Sequence, residues 1–268
     1  MKISIVTVTY NCQNVIEETI ISIIEQTYSK IEYIIIDGGS TDRTLDIIKN
    51  YSSHIHKFIS EKDKGIFDAM NKSLNYITGD YVIFINAGDR LINKHIIADI
   101  FENKKYTEDL IYGDIYIENN LGFLLCKADA IYLKYPTKFD YVFHSQGFSH
   151  QALFTKVSIL RQIKFNLAYP LSADYDTTYR IYLLGNHQLY YTEKAISIFD
   201  DRFGGASHNN SKQIYEERSQ IFNYPKGIRY FYNLTKILFI EKFKSILQNN
   251  FPHFVNKYRE KKYIKSIK

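Results

Sequence analysis

The first 89 residues alternate between apolar, β-branched runs and amphipathic runs, and this alternation limits the folds open to the chain. Segments typical of strands and of helices follow one another at residues 3–9, 15–27, 33–36, 43–51, 55–60, 66–77 and 81–85. Strands that alternate with helices predict a parallel sheet joined by right-handed crossovers, with helices on both of its faces. We therefore expect an α/β fold with a doubly wound, mostly parallel sheet.

The strand predicted at 81–85 is followed directly by the turn Asn86-Ala87-Gly88-Asp89. An apolar run without polar alternation is typical of a central strand, and open α/β sheets bind ligands at the carboxyl ends of such strands. Mg²⁺ and Mn²⁺ prefer oxygen ligands and commonly bridge a carboxylate to substrate phosphates. Asp89 is therefore a candidate metal ligand, and its alternative role is to cap the next helix.

Polar loops also follow the other predicted strands. Tyr10-Asn11 follows the first, Asp37 the second and the charged segment 61–65 the third. These loops would converge on one edge of a parallel sheet, which predicts a nucleotide-type site there. The first loop has no Gly-x-Gly-x-x-Gly fingerprint and the chain has no P-loop, so a dinucleotide site is not expected.

The second half is less regular but contains several recognisable elements. A hairpin is predicted from 110–118 and 122–126, and Ala173-Asp174-Tyr175-Asp176 leads into a predicted helix at 177–184. The other expected elements are a short apolar segment at 150–154, a helix at 155–163, strands at 188–191 and 196–199, and a helix at 226–247.

Charge is distributed unevenly along the 268 residues. Residues 224–268 carry 11 basic and 2 acidic side chains, a net charge of +9, which leaves 23 basic and 27 acidic side chains for the rest. The body is thus slightly acidic, and a nucleic-acid-binding body is not indicated. The only cysteines, Cys12 and Cys126, lack metal-type spacing. With no secretory leader and no apolar run of transmembrane length, we expect a cytoplasmic protein.

Five motifs in order resemble those of family 2 glycosyltransferases with the GT-A fold. They are Val8-Thr9-Tyr10-Asn11, Asp37-Gly38-Gly39-Ser40-Thr41-Asp42, the segment 60–71, Asn86-Ala87-Gly88-Asp89 and Ala173-Asp174-Tyr175-Asp176. The segment 60–71 is similar to that of bacterial surface-polysaccharide members. The resemblance covers about 3–207. It implies a GT-A domain over 1–222, with a nucleotide-binding half (1–89), a smaller mixed acceptor and catalytic half (90–222), and a basic, aromatic, helical tail (223–268).

The resemblance places the nucleotide-binding residues at Thr9, Tyr10, Asn11, Asp37, Lys64, Asp68 and Asn71. Tyr10 could stack on the base or pack at the strand end. Asp37 could accept a hydrogen bond from the imino group of uracil or thymine, or cap the following helix. Asp68 and Asn71 could reach ribose or sugar hydroxyls, or form a solvated helix face.

The same resemblance implies a divalent metal, Mg²⁺ or Mn²⁺, bound by Asp89 and His208. Asn86 and Gly88 stand where many members have aspartates, so Asp89 is the one clear carboxylate of the motif. His208 could equally be a solvated loop residue. The cation, assisted by Lys64, would stabilise the departing diphosphate.

Asp174 is the expected general base, which deprotonates the acceptor hydroxyl during inversion. Its alternative role is a helix N-cap, which Asp176 could also be. His144 and His150 are interpreted as packing or acceptor-site residues.

The expected function is inverting, non-processive transfer of one sugar from a nucleotide-sugar, a UDP-sugar above all, to a growing bacterial surface glycan on a lipid carrier. Processive members carry a Gln-x-x-Arg-Trp motif and membrane helices, whereas this chain has no Trp. A nucleotidyltransferase and a non-catalytic sugar-nucleotide binding module are the alternatives. The first loop lacks the glycine and lysine of a nucleotidyltransferase.

The tail holds ten aromatic residues between Tyr224 and Tyr263 among its basic residues. This composition is typical of segments that bind the interface of anionic membranes. We expect the helix at 226–247 to pack on the catalytic domain and 249–268 to contact the inner face of the plasma membrane. A solvated basic tail is the alternative for 249–268.

Overall fold

A computed structural model describes residues 1–130, 133, 149–184, 188–202, 210–250, 264 and 267. For residues 241, 244, 245, 248 and 249 it describes the backbone alone. The predicted metal ligand His208, and His144, lie outside the described residues.

Four parallel strands form the first half of the sheet, as predicted. They are β1 (Ile3–Thr9), β2 (Ile31–Asp37), β3 (Lys57–Ser60) and β4 (Tyr81–Phe84), in the spatial order β3-β2-β1-β4. The crossovers contain α1 (Ile16–Ile24), α2 (Thr44–Asn50) and α3 (Ile66–Ser73). Because all four strands run in one direction, their polar loops emerge at the same edge.

The second half extends this sheet with strands of mixed direction. Its strands are β5 (Arg90–Leu91), β6 (Leu110–Asn119), β7 (Gly122–Cys126), β8 (Leu153–Lys156) and β9 (Leu189–Asp200). The order continues as β4-β8-β6-β9-β5, with β7 paired to β6. Its helices are α4 (Ile96–Phe101), α5 (Val157–Ile163) and α6 (Ala173–Leu184). The result is the expected α/β architecture with a mostly parallel sheet.

Three of the predicted boundaries in this half are wrong. The strands expected at 188–191 and 196–199 are one strand, β9, in which Glu193 adopts a positive φ of 56°. The register of β6 against β9 shifts between Tyr112 and Ile115. The two backbones approach closely there, since a Cβ at Gly113 would lie 2.4 Å from the Lys194 carbonyl oxygen. Thr155 lies in β8 and not in a helix. Helix α6 begins at Ala173, so Asp174 is in its first turn and not before it.

Alternate residues of the central strands point to opposite faces of the sheet and build two apolar cores. Val6, Ile34 and Val82 face one core, while Ile5, Ile35 and Ile83 face the other. Each core also contains residues from beyond position 89, such as Leu160 in the first and Phe154 in the second. The two functional halves expected at 1–89 and 90–222 therefore share their cores.

Two helices complete the described chain: α7 (Ser211–Ile221) and α8 (Ile228–Asn250). As expected, α8 packs on the domain, where Tyr230, Leu234 and Ile237 join a small cluster with Tyr215 and Tyr224. Ile264 forms a two-bond bridge with Phe123 of β7, with N···O distances of 2.8 and 2.9 Å. No helix in the described part of the chain is long and apolar enough to cross a bilayer.

Gly79 lies where the chain enters β4, against the backbone of β1. A Cβ at this position would lie 2.6 Å from Ser4 Oγ, 2.8 Å from Ser4 N and 2.9 Å from the Lys2 carbonyl oxygen. We predict that Gly79→Ala lowers the free energy of unfolding by about 1–3 kcal/mol, because the backbone must move to admit the methyl group. Urea denaturation measures this value.

Gly227→Ala is the matched control, since a Cβ at Gly227 meets no atom within 4 Å. Its effect on the free energy of unfolding should stay below about 1 kcal/mol. Equal decreases in the free energy of unfolding for the two variants would show that the close approach of the backbones at Gly79 is not the reason for its loss of stability.

Candidate active site

The antiparallel pairing of β4 with β8 brings two distant segments together at the edge where the polar loops emerge. Tyr81 pairs with Lys156 and Val82 with Thr155. In an antiparallel pair the start of one strand lies beside the end of the other, so residues 150 and 151 come next to 86 and 87. A cleft of about 680 Å³ opens at this point, and the predicted residues Asn11, Asp89 and Asp174 are among those that line it.

Helix α1 holds the turn that carries Asp89. Thr19 Oγ1 donates to the Asp89 carbonyl oxygen at 2.8 Å and accepts from the Gly88 N–H at 2.9 Å. Gly88 has a φ of 105°, a conformation that glycine adopts without strain. The turn is therefore built from the backbone and Thr19, and the Asp89 carboxylate is free to point into the protein.

The Asp89 side chain is almost fully buried, with 4% of its surface exposed. Its carboxylate accepts hydrogen bonds from Gln151 Nε2 at 3.1 Å and from the Asp200 N–H at 3.3 Å. Burial raises the pKa of Asp89 to about 6, although His150 and the bond from Gln151 act in the opposite direction. A carboxylate held in this way gains stability from a cation, because ionisation is disfavoured in its absence.

Asn86 presents an acceptor without a donor. Its Nδ2 lies 2.8 Å from His150 Nε2, while its Oδ1 is buried and has no hydrogen-bond partner among the described residues. A buried unpaired oxygen three residues before a buried carboxylate fits a hard divalent cation. The described residues contain no group of three or more His, Cys, Asp or Glu side chains placed to hold a metal. Further ligands would have to come from substrate oxygens or from outside the described residues.

The structure separates the roles of the two candidate base carboxylates. Asp174 lines the cleft, with Oδ1 accepting from the Tyr175 N–H at 2.9 Å and Oδ2 3.6 Å from His150 Nδ1. Asp176 instead forms a salt bridge with Arg180, in which Oδ2 lies 2.6 Å from Nη2 and 2.8 Å from Nε. Asp174 is thus the carboxylate of this pair that a ligand in the cleft can reach.

A group of ion pairs stands behind Asp200, the last residue of β9 and a cleft-lining residue. Arg202 donates from Nε to Asp200 Oδ1 and from Nη2 to Asp200 Oδ2, both at 2.9 Å. Burial alone would raise the pKa of Asp200, but these bonds outweigh it and lower the pKa below its usual value. Arg90 completes the group with salt bridges to Glu18 at 2.8 Å and Glu118 at 2.6 Å.

Asp37 is engaged by the turn that follows it. Its fully buried carboxylate accepts from the N–H groups of Gly39 at 3.0 Å and Ser40 at 2.9 Å, and from Ser60 Oγ at 2.7 Å. Asp37 therefore stabilises the turn at 38–40 and does not cap α2, whose first N–H group, that of Thr44, donates to Asp42 Oδ1 at 3.0 Å. A contact between Asp37 and a base stays a prediction.

The residues predicted around the end of β1 differ in how they are placed. Tyr10 is 60% exposed, which rules against the alternative of strand-end packing and leaves its ring open to a ligand. Asn11 joins two loops, because its Oδ1 accepts from the Thr41 N–H at 2.9 Å. Thr9 Oγ1 is buried and has no hydrogen-bond partner among the described residues.

Two of the three residues predicted on and before α3 have structural roles. Asp68 Oδ2 accepts from the Lys64 N–H at 2.9 Å and so holds the loop, while the Lys64 side chain is exposed. Asn71 bridges to Phe165, donating from Nδ2 to its carbonyl oxygen and accepting from its N–H, both at 2.9 Å. The Asn71 amide thus faces the backbone of Phe165, and a contact between Asn71 and a ribose or sugar hydroxyl stays a prediction.

Several cleft residues were not predicted. They are Gln151, Asp200 and the pair formed by Tyr175 and Arg218, whose guanidinium lies 3.6 Å from the Tyr175 ring centroid. His150 was interpreted as a packing or acceptor-site residue and is found between Asn86 and Asp174. The sequence signal that could have placed His150 and Gln151 is the short apolar segment at 150–154, whose end forms the start of β8.

The raised pKa of Asp89 has a consequence for stability. Above about pH 6 the buried carboxylate is ionised at a cost, whereas the unfolded chain ionises near pH 4. Asp89→Asn should therefore raise the free energy of unfolding of the metal-free protein by about 2–3 kcal/mol near neutral pH, and leave it little changed near pH 4. Urea denaturation in EDTA at both pH values measures the difference.

Added Mn²⁺ should stabilise the wild-type protein near neutral pH and not Asp89→Asn, because a ligand stabilises the state that it binds. Asp46→Asn, at an exposed carboxylate of α2, is the control. Its free energy of unfolding should stay close to that of the wild type, and Mn²⁺ should stabilise it as it does the wild type. A decrease in the free energy of unfolding for Asp89→Asn at neutral pH would contradict the conclusion that Asp89 is ionised at a cost in the folded protein.

The family model described as Glycosyl transferase family 2 matches residues 4–162. A PGL/p-HBAD biosynthesis glycosyltransferase of Mycobacterium tuberculosis is 28% identical over 211 residues, which cover 76% of this chain and 78% of that protein. The putative teichuronic acid biosynthesis glycosyltransferase TuaG of Bacillus subtilis is 36% identical over 91 residues, covering 33% of this chain and 36% of TuaG.

Solved structures share the fold at lower identity. TarS 1-349 from S. aureus, in complex with UDP, has a TM-score of 0.62 and 20% identity, and the match covers 83% of this chain but less than two thirds, 64%, of TarS 1-349. The mannosyltransferase PcManGT from Pyrobaculum calidifontis has a TM-score of 0.63 and 16% identity, with 87% and 67% covered. These likenesses show a GT-A architecture. Together with the family match over more than half of its length, they establish that the chain is a glycosyltransferase that belongs to glycosyl transferase family 2.

Proposed function

We propose that the protein transfers a single sugar from a UDP-sugar, with inversion at the anomeric carbon, to a growing bacterial surface glycan on a lipid carrier. The observation that carries this proposal is the pairing of two carboxylates in one cleft. Asp89 is buried beside the unpaired oxygen of Asn86, while Asp174 faces the cleft without a salt bridge to lysine or arginine among the described residues. One fits a cation and the other fits a base.

The reaction is a single displacement. The acceptor hydroxyl oxygen forms a bond to the anomeric carbon, the bond from that carbon to the diphosphate oxygen breaks, and UDP leaves with the electron pair. Asp174 takes the hydroxyl proton as the new bond forms, which contributes about 10²–10⁴-fold to the rate. Attack opposite the leaving group inverts the configuration.

The departing diphosphate needs positive charge. Asp89 and Oδ1 of Asn86 are the residues that would hold a divalent cation, with His208 as a further candidate ligand. Mn²⁺ is present in the PcManGT complex, which supports this assignment. When bound, the cation supplies electrostatic stabilisation of the charge on the leaving group. Lys64, whose side chain is exposed, is the additional cation on this side of the sheet.

The nucleotide would lie over the loops after β1 and β2. The exposed Tyr10 ring offers a stacking surface for the base, with Thr9, Asn11 and Asp68 around the ribose and diphosphate. Asp37 Oδ1 retains acceptor capacity for the imino group of uracil, because a carboxylate oxygen accepts more than one hydrogen bond. The TarS complex contains UDP, which supports a uridine nucleotide, whereas PcManGT contains GDP-Man and makes a guanosine nucleotide the alternative.

A lipid-linked acceptor requires access to a membrane, and α8 offers a surface for it. Its outward side, opposite the packed Tyr230 and Ile237, carries the exposed residues Ile228, Tyr232, Phe239, Phe243 and Ile246. Arg229, Lys236 and Lys242 are also exposed along this helix. Exposed aromatic and basic side chains together suit an anionic bilayer surface. The contact expected at 249–268 stays a prediction, and within that segment Ile264 pairs with Phe123 of β7.

The test of the proposed function is release of UDP or GDP from a panel of sugar nucleotides, with a lipid-linked glycan acceptor. We expect UDP-sugars to be used and EDTA to stop turnover reversibly. Asp174→Asn should lower kcat by about 10²–10⁴-fold with little change in donor binding, because it keeps the size of the side chain but cannot take a proton.

Asp176→Asn is the comparison variant, since Asp176 forms a salt bridge with Arg180 and does not line the cleft. An inactive Asp176→Asn beside an active Asp174→Asn would mean that the base is assigned to the wrong carboxylate. Donor binding without turnover over the whole panel would favour a non-catalytic binding module.

The membrane surface is tested by co-sedimentation with vesicles that contain anionic lipid. Phe239→Ser combined with Phe243→Ser should reduce pelleting several-fold at low salt, because two exposed rings are lost from the outward side of α8. Leu167→Ser, at an exposed apolar residue outside α8, is the control. A chain truncated after Gln248, with both phenylalanines kept, tests the terminal residues separately. A full loss of vesicle binding by this truncated chain would mean that residues 249–268, and not α8, contact the membrane.

A further inference from the structure

His150 stands between the two functional centres of the cleft. Its Nε2 lies 2.8 Å from Asn86 Nδ2, and its Nδ1 lies 3.6 Å from Asp174 Oδ2. The residue precedes β8 at the point where the antiparallel pairing places it beside the end of β4. The imidazole ring of His150 therefore lies next to both the turn at 86–89, where a cation is expected, and the Asp174 carboxylate, the expected base.

The chemistry of these three side chains decides where the protons lie. A carboxylate only accepts hydrogen bonds, so Asp174 favours the proton of a neutral His150 on Nδ1. Nε2 is then an acceptor, and Asn86 must turn its Nδ2 donor toward it. This is the orientation that the structure shows, and it leaves Asn86 Oδ1 buried without a donor.

We propose that His150 is a positioning residue that couples the base to the cation site. Through Nδ1–H it orients the Asp174 carboxylate, and through Nε2 it holds the Asn86 amide so that Oδ1 is presented as a ligand. The proposal rests on the proposed function, since it assigns His150 to the same cleft. Asn86 and His150 act through other groups and neither takes part in bond making.

This arrangement gives a reason for an amide at position 86. A carboxylate there could not donate to Nε2, so Nε2 would have to carry a proton itself. In a neutral ring this takes the hydrogen from Nδ1, whose lone pair then faces the Asp174 carboxylate, whereas a doubly protonated ring places a positive charge beside the cation site. An asparagine supplies a ligand oxygen and a donor from one side chain, which an aspartate cannot do.

The coupling also works in the opposite direction. If Asn86 Oδ1 held a cation, the amide would be fixed with Nδ2 toward His150, which would favour the Nδ1–H form that faces Asp174 across 3.6 Å. Occupancy of the donor side therefore favours a correctly oriented base. Because coupling free energies are reciprocal, orientation of the base favours cation binding to the same extent.

Two substitutions separate the functions of the two ring nitrogens. The side-chain N–H of His150→Asn can replace Nδ1–H toward Asp174, whereas the longer His150→Gln reaches Asn86 in place of Nε2. We expect His150→Gln to lower kcat by about 10–100-fold and to weaken Mn²⁺ binding less than His150→Asn does. His150→Asn should keep more of kcat than His150→Gln and should bind Mn²⁺ more weakly.

The two variants should therefore rank in opposite orders for kcat and for Mn²⁺ affinity. A merely structural role would give the same order for both quantities, and this result would overturn the proposal. Mn²⁺ binding is measured by calorimetry on the protein without donor, so it does not depend on turnover. If no sugar nucleotide is used at all, the proposed function fails while the affinity difference between the variants still decides the role of His150.

The tautomer provides a second measurement. Nitrogen-15 NMR of the metal-free protein, with the His150 signal assigned from His150→Gln, should show the proton on Nδ1 in the wild type. Asn86→Asp should move it to Nε2 or protonate both nitrogens. A wild-type His150 with its proton on Nε2 alone would refute the proposed coupling.

Discussion

The pairing of β8 against β4 is the contact on which the cleft depends. Up to β4 the sheet is wholly parallel, and its strand ends supply loops but no second wall. Because β8 runs in the opposite direction, its first residues arrive where β4 finishes. His150 and Gln151 then meet Asn86 and Asp89 without any special loop. A change in strand direction thus turns a sheet edge into a two-sided site.

The parallel half was predictable because its signals are local. The strand runs and the Asn86-Ala87-Gly88-Asp89 turn can be recognised within a dozen residues, and β1 to β4 appear in the expected places. The partners of Asp89 could not be found in this way. Gln151 is 62 positions away and Asp200 is 111 positions away, and only the sheet order brings them together.

The roles of polar residues near the strand ends could not be predicted from sequence for a different reason. Asp37 and Asn71 have the residue types that bind nucleotides, yet they hold loops and backbone in place. Sequence shows which groups can form hydrogen bonds but not which partners are nearest. The choice between Asp174 and Asp176 was an exception, since Arg180 four residues after Asp176 marks a helical ion pair that the sequence displays.

The bridge between Asn71 and Phe165 has a further consequence for how the molecule moves. Phe165 also packs on Phe67 and Phe84, with ring centroids 5.5 Å apart in each pair. A hinge that opened the cleft by separating residues 1–89 from the rest would have to break both hydrogen bonds and expose these three rings to water. Such an opening costs several kcal/mol, so the framework around the cleft moves as one body. Substrate entry and product exit then require motion of the loops at the rim and not closure of one half on the other.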